Sequence, residues 1–157
     1  MTSDSAVANP PPRTDGPGTL LLVDDEVLLL RAYARVLTAE GHTVVTADCG
    51  ESALAELGQR KFDAVFLDLG LPGASGIDVL RSIHARDAHL PVVLMTGTPT
   101  LETAIDAVSA GAKQYLIKPV ATPALAQAAR EGVRALAAQY GSFYARMLAE
   151  IDAWAKR

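Results

Sequence analysis

Cysteine is nearly absent: Cys49 stands alone in 157 residues. No disulfide can close within the chain, and the composition fits a reducing cytoplasm. Basic residues are too few and too scattered for nucleic acid. Fourteen Lys and Arg face eighteen Asp and Glu, for a net charge of −4, so the electrostatic footprint of a DNA or RNA binder is missing. Zinc-ligand spacing is missing too. No apolar run approaches the roughly 20 residues of a membrane helix, and the first residues lack the basic start and apolar core of a secretory signal. The expectation is a cytoplasmic protein with neither nucleic acid nor membrane as partner.

What is present begins with a segment rich in Pro, Gly, Ser and Asp, MTSDSAVANPPPRTDGPG. It holds too little apolar surface to offset its ordering entropy, so residues 1–18 are expected to form a disordered tail. From residue 19 the pattern alternates. Short apolar or β-branched runs at 19–23, 43–46, 63–67, 90–95 and 114–117 read as strands. Stretches of helical period at 27–39, 50–60, 75–85, 100–110 and from 122 onward read as helices, with Ser75 as an N-cap. Five strand–helix units imply an α/β fold, a doubly wound five-stranded parallel sheet with helices on both faces. In such sheets ligands gather at the carboxyl ends of the strands.

Those ends carry the polar residues. The first strand runs into Asp24 and Asp25, the third into Asp68, the fourth into Thr96 and the fifth into Lys118, followed by Pro119. Brought to one edge, they make a site of three carboxylates, a hydroxyl and an ammonium. At an effective dielectric of about 20, one carboxylate pair about 4 Å apart costs roughly 4 kcal/mol. Raised pKa values or a bound cation relieve that cost, and an all-oxygen site suits a hard divalent ion, Mg²⁺ above all. Lys118 and Thr96 supply a charge and a donor suited to a phosphoryl group.

The motifs VDDE, DLGLPGASGIDVL, the Thr-Gly after the fourth strand and YLIKP resemble the receiver domain of two-component response regulators. The resemblance spans residues 19–138 and implies a flavodoxin-like sheet of order 2-1-3-4-5. It implies that Asp68 accepts a phosphoryl group from a sensor histidine kinase or a phosphotransfer protein. Asp25 is then the direct Mg²⁺ ligand, Asp24 acts through water, and the Gly70 carbonyl completes the set. Thr96 is expected to bond a phosphoryl oxygen and Lys118 to pair with it. Pro119 is expected after a cis peptide bond, and Tyr115 as an aromatic switch that turns inward with Thr96. The output surface is expected on the fourth helix, fifth strand and fifth helix, about 100–134, serving dimerisation or a downstream protein. The chain is then a phosphoacceptor rather than an enzyme, at most promoting its own phosphorylation and dephosphorylation.

Some features stand apart from that pattern. Gly70, Thr98 and Val120 occupy positions where receivers often carry larger residues. The apolar spacing from Leu125 through Val133, Tyr140 and Met147 to Trp154 lets one helix run to about Ala155. Residues 139–157 are therefore expected to form a helical extension, a dimer or docking helix, and no output domain is seen within the chain. One alternative is the receiver piece of a longer regulator whose effector domain lies elsewhere. Another is a phosphatase of the haloacid dehalogenase type, which takes Asp24 as nucleophile but needs Asp where Glu26 stands. His42, His84 and His89 are expected at solvated positions, and Cys49 as an unreactive small residue.

Overall fold

Val, Leu and Phe fill the strand positions because each strand of a doubly covered sheet is buried on both faces. A computed structural model describes residues 16–156, and for residues 136–152 it describes the backbone alone. The elements are β1 (Thr19–Val23), α1 (Val27–Ala39), β2 (Thr43–Ala47), α2 (Gly50–Gln59), β3 (Ala64–Asp68), α3 (Gly76–Arg86), β4 (Val92–Thr96), α4 (Leu101–Ser109), β5 (Gln114–Ile117) and α5 (Thr122–Ala155). All strand pairs are parallel, in the order β2-β1-β3-β4-β5. This is the α/β architecture expected from the alternation. The tail expected over the first residues lies outside the described residues as far as residue 15.

Alternate strand residues feed two cores. Leu21, Val23, Val65, Leu67, Val92 and Leu94 pack against α2 and α3 through Ala53, Leu80 and Ile83. Leu20, Leu22, Phe66, Val93 and Met95 pack against α1 and α5 through Leu30, Leu37, Leu125 and Ala129. Each fully buried large side chain contributes about 1.5–3 kcal/mol. The central strands β1, β3 and β4 are therefore the rigid part, and whatever their carboxyl ends carry is held firmly.

Two histidines correct the expectation of solvated positions. His42 is buried, and its Nδ1 accepts the Gly18 N–H at 3.0 Å. Burial pushes its pKa down, against the opposing charge of Glu40 and the Gly18 contact. His84 places Nδ1 3.2 Å from the Ala110 carbonyl and Nε2 3.1 Å from the Leu90 carbonyl, tying α3 to the end of α4 and the start of β4. His89 is exposed, as expected. Cys49 caps α2, its sulfur accepting the Ser52 N–H at 3.4 Å.

Ser75 caps α3 as the sequence suggested, accepting the Asp78 N–H at 3.2 Å. The last helix continues for 34 residues without a break, about 50 Å at 1.5 Å per residue. The side chains of its apolar stripe over 136–152 lie outside the described residues. Trp154 beyond them is 75% exposed. No helix among the described residues is long and apolar enough to cross a membrane.

Candidate functional site

Strands β3 and β4 each keep one more residue in the ladder than the apolar runs suggest. Asp68 pairs in register with Met95, and Thr96 with Ile117. Both polar side chains therefore project from the last rung of a rigid strand. Asp68 is 5% exposed and Thr96 4%, so neither is an ordinary surface residue.

Asp24 follows β1 directly and has no exposed surface. Its amide donates to the Ala47 carbonyl at 3.1 Å, and its Oδ1 accepts the Glu26 N–H at 2.9 Å, which turns the chain into α1. The same turn sends the neighbouring Asp25 outward, where it is exposed. Asp24, Asp25 and Asp68 each offer a carboxylate oxygen, and these atoms lie within 4.8 Å of one another. Such an all-oxygen set fits a hard divalent cation. Asp24 Oδ2 is buried with no hydrogen bond of regular geometry; an ion pair at 2.6 Å from Lys118 Nζ is what balances it.

Lys118 reaches the same place from the end of β5. Its Nζ also lies 3.2 Å from Asp68 Oδ2, and its side chain is 8% exposed. Burial alone would lower its pKa, but the two carboxylates beside it outweigh burial and hold the ammonium above the usual lysine value. The Asp68 pKa is also raised, but by burial rather than against it. Burial raises its pKa, the Gly70 N–H and Lys118 resist, and the Asp24 charge adds to the rise. Two buried carboxylates and one ammonium leave the pocket short of positive charge, which a bound cation would supply.

Gly70 joins the site through its amide, which donates to Asp68 Oδ1 at 3.1 Å. Thr96 Oγ1 accepts the Thr98 N–H at 3.0 Å. The Lys118–Pro119 peptide is cis. Tyr115, half-buried, lies on β5 opposite Leu94 and holds its hydroxyl 2.8 Å from Thr103 Oγ1 on α4. Asp24, Asp25, Asp68 and Lys118 thus meet in one pocket. Thr96 stands at the end of β4 beside Asp68's strand, and Tyr115 is turned toward α4.

Two positioning residues escaped the sequence reading. A Cβ on Gly76 would lie 2.6 Å from the Asp68 carbonyl oxygen and 2.6 Å from Leu69 Cα, so only glycine lets α3 start this close to the strand end. Tyr33, buried on α1, accepts the Val120 N–H at 3.0 Å and fixes the loop behind Lys118. The available signal was an inward-facing tyrosine whose hydroxyl needs a partner.

The profile of the response regulator receiver domain matches residues 20–130. The alginate biosynthesis transcriptional regulatory protein AlgB of Pseudomonas putida is 41% identical over 105 residues, covering 67% of this chain and 23% of that protein. The probable transcriptional regulatory protein TcrX of Mycobacterium tuberculosis is 40% identical over 108 residues, covering 68% of this chain and 46% of that one. The chain therefore spans about a quarter of the first of these curated relatives and just under half of the second. Among solved structures, a CheY-like receiver domain protein from Methanospirillum hungatei superposes with a TM-score of 0.75 at 26% identity, covering 79% of this chain and 99% of that one. NtrX from Brucella abortus gives 0.76 at 33% identity, over 80% of this chain and 29% of its own. With the sheet order, the strand-end acidic cluster and these matches in hand, the chain belongs to the response regulator receiver domain family, a signalling domain of two-component systems.

Proposed function

We propose that this domain is a Mg²⁺-dependent phosphoacceptor and that Asp68 is the residue modified. The observation that carries the reading is the meeting of Asp68, Asp24 and Asp25 with Lys118 at the carboxyl ends of β1, β3 and β5. Asp68 Oδ attacks the phosphorus of a phosphohistidine on a sensor kinase or phosphotransfer protein. The O–P bond forms as the P–N bond breaks, and the electron pair leaves on the imidazole, which takes its proton from solvent. Asp25, Asp68 and the Gly70 carbonyl, with Asp24 through water, would hold Mg²⁺, which when bound would neutralise charge on the phosphoryl oxygens. Lys118 is drawn from its carboxylate partners toward the phosphoryl group, and Thr96 donates to it. The phosphatase alternative makes Asp24 the nucleophile, and its complete burial beneath Lys118 favours Asp68 instead.

The output face in this reading is α4, β5 and α5. Leu101, Ile105 and Val108 form an exposed aliphatic stripe on α4, with Ile117 exposed on the edge strand β5. Apolar stripes of this kind mark contacts, here with a downstream protein or a second copy, joined by the extension over 139–157 beyond a receiver of 19–138. The setting is the cytoplasm. The test uses phosphoramidate, a small P–N donor. Incubated with Mg²⁺, the chain is expected to gain one acid-stable, alkali-labile phosphoryl group, and to gain none in EDTA. No incorporation with Mg²⁺, or equal incorporation without it, overturns the proposal.

A further inference from the structure

The hydrogen bonds around Thr103 join the start of α4 to Tyr115 on β5 in a way that the phosphoacceptor chemistry does not require. Thr100 caps α4: its Oγ1 accepts the Thr103 N–H at 3.1 Å, and Thr103 Oγ1 accepts the Thr100 N–H at 3.2 Å. This reciprocal pair is a capping box built from two threonines, whereas the third residue of such boxes is usually Glu or Gln. Thr103 has a shorter side chain than either, so its hydroxyl stays close to the helix, within reach of β5. There it meets Tyr115 Oη at 2.8 Å.

A hydroxyl has one proton and two lone pairs. Thr103 Oγ1 gives its proton to the Thr100 carbonyl at 3.0 Å. One lone pair takes the Thr100 N–H, and the other faces both the Tyr115 O–H at 2.8 Å and the Thr100 hydroxyl at 2.9 Å. The Tyr115 hydroxyl thus competes with the Thr100 hydroxyl for one lone pair of the cap residue that faces β5. Four residues, 97–100, separate Thr96 from α4, and the first polar link in that loop is the Thr98 N–H on Thr96 Oγ1 at 3.0 Å. Turning the Thr96 hydroxyl toward the site would carry the Thr98 N–H with it and pull on the loop that leads to Thr100.

We infer that Thr103 is a latch: it holds Tyr115 against α4 in the unmodified domain, and its release passes the state of the Asp68 site to the start of α4. The inference rests on the phosphoacceptor reading and adds a positioning residue to it. Thr103 touches no reacting atom. It sets the fraction of molecules already in the arrangement that favours a phosphoryl group. When that fraction is small, apparent affinity for a phosphoryl mimic scales with it. Losing one hydrogen bond from the latched state raises the fraction about three- to tenfold.

The experiment measures binding of beryllofluoride, an anion that mimics a phosphoryl group on a carboxylate, with Mg²⁺ and the full chain. Thr103→Val is expected to tighten the apparent affinity about three- to tenfold. Thr103→Ser, which keeps the hydroxyl, stays near wild type. Thr103→Val placed on Tyr115→Phe is expected to tighten binding no further, because the Thr103–Tyr115 bond is already gone and the cap bond that Val also removes does not reach Tyr115. An unchanged or weakened affinity in Thr103→Val overturns the latch, as does the same tightening in the Tyr115→Phe background. If the wild type binds no beryllofluoride with Mg²⁺, the phosphoacceptor reading falls and takes the latch with it. If the wild type binds and the variants do not differ, the latch alone falls.

Discussion

Replacing Asp68 by Asn should stabilise the metal-free domain while removing its response to Mg²⁺. The nearest charges decide the size of the effect. Carboxylate oxygens of Asp24 and Asp25 lie within 4.8 Å, and at an effective dielectric of about 20 each repels Asp68 by about 3.5 kcal/mol. Asp25 is exposed, so solvent screens its share to about half or less. Lys118 at 3.2 Å attracts by about 5 kcal/mol on the same scale. These contributions nearly cancel, which leaves the desolvation of a carboxylate that is 5% exposed as the deciding cost. Removing that charge is expected to gain about 1–2 kcal/mol. The sign agrees with the raised pKa of Asp68, caused first by burial. A folded-state pKa above the unfolded value gives stability that is complete below the ordinary carboxylate range and lost as pH rises through the folded pKa. That contribution is therefore smaller at neutral pH than in acid. Urea unfolding in EDTA at pH 7 should place the variant's midpoint about 0.5–1 M above wild type, for a slope near 2 kcal/mol per M. Mg²⁺ at ten times its dissociation constant should then stabilise the wild type by about 1.4 kcal/mol and the variant by little. A variant midpoint below wild type in EDTA, or equal stabilisation of both proteins by Mg²⁺, refutes the electrostatic reasoning.

Further outcomes follow from other contacts. Gly76→Ala drives a methyl group into the Asp68 carbonyl and Leu69 Cα; a loss of about 1–3 kcal/mol in urea unfolding is expected, with slower labelling by phosphoramidate. His42, whose pKa is lowered chiefly by burial, binds protons more readily when unfolded. Stability should therefore fall as pH drops below about 6.5 toward the folded pKa, and His42→Gln should flatten urea midpoints measured between pH 7.5 and 5.5. If the extension over 139–157 and the α4 stripe act together in a phosphorylation-dependent dimer, light scattering should detect a mass increase with phosphodonor that is lost on stopping the chain at Ala138. No change in either form removes the dimer.

The sheet and the strand-end cluster were legible because their signals are local. Runs such as Ala64-Val65-Phe66-Leu67 are apolar at every position, as buried parallel strands must be, and a charge placed directly after such a run has no packing reason to be there. The strand ends were read one residue short at β3 and β4, because Asp68 and Thr96 stay in the ladder through backbone pairing with Met95 and Ile117, which side-chain polarity does not report. The histidines were misread for a different reason. The partner of His42 lies 24 residues away in sequence and one of the two partners of His84 lies 26 away, and no local pattern marks a polar residue for such a contact. Tyr33 and Val120 are 87 residues apart, so their bond appears only once α1 and the loop after β5 share a face. Gly76 fell inside the helix read over 75–85 with no role of its own, and only the approach of α3 to Asp68 gives it a reason.

The most direct measurement is to map the phosphoryl group. The wild-type chain and Asp68→Asn are treated with phosphoramidate and Mg²⁺, digested, and sequenced by tandem mass spectrometry. The account predicts a single modified residue, Asp68, in the wild type and an unmodified variant. A phosphoryl group on Asp24, Asp25 or any histidine of the wild type, or undiminished incorporation in Asp68→Asn, contradicts it.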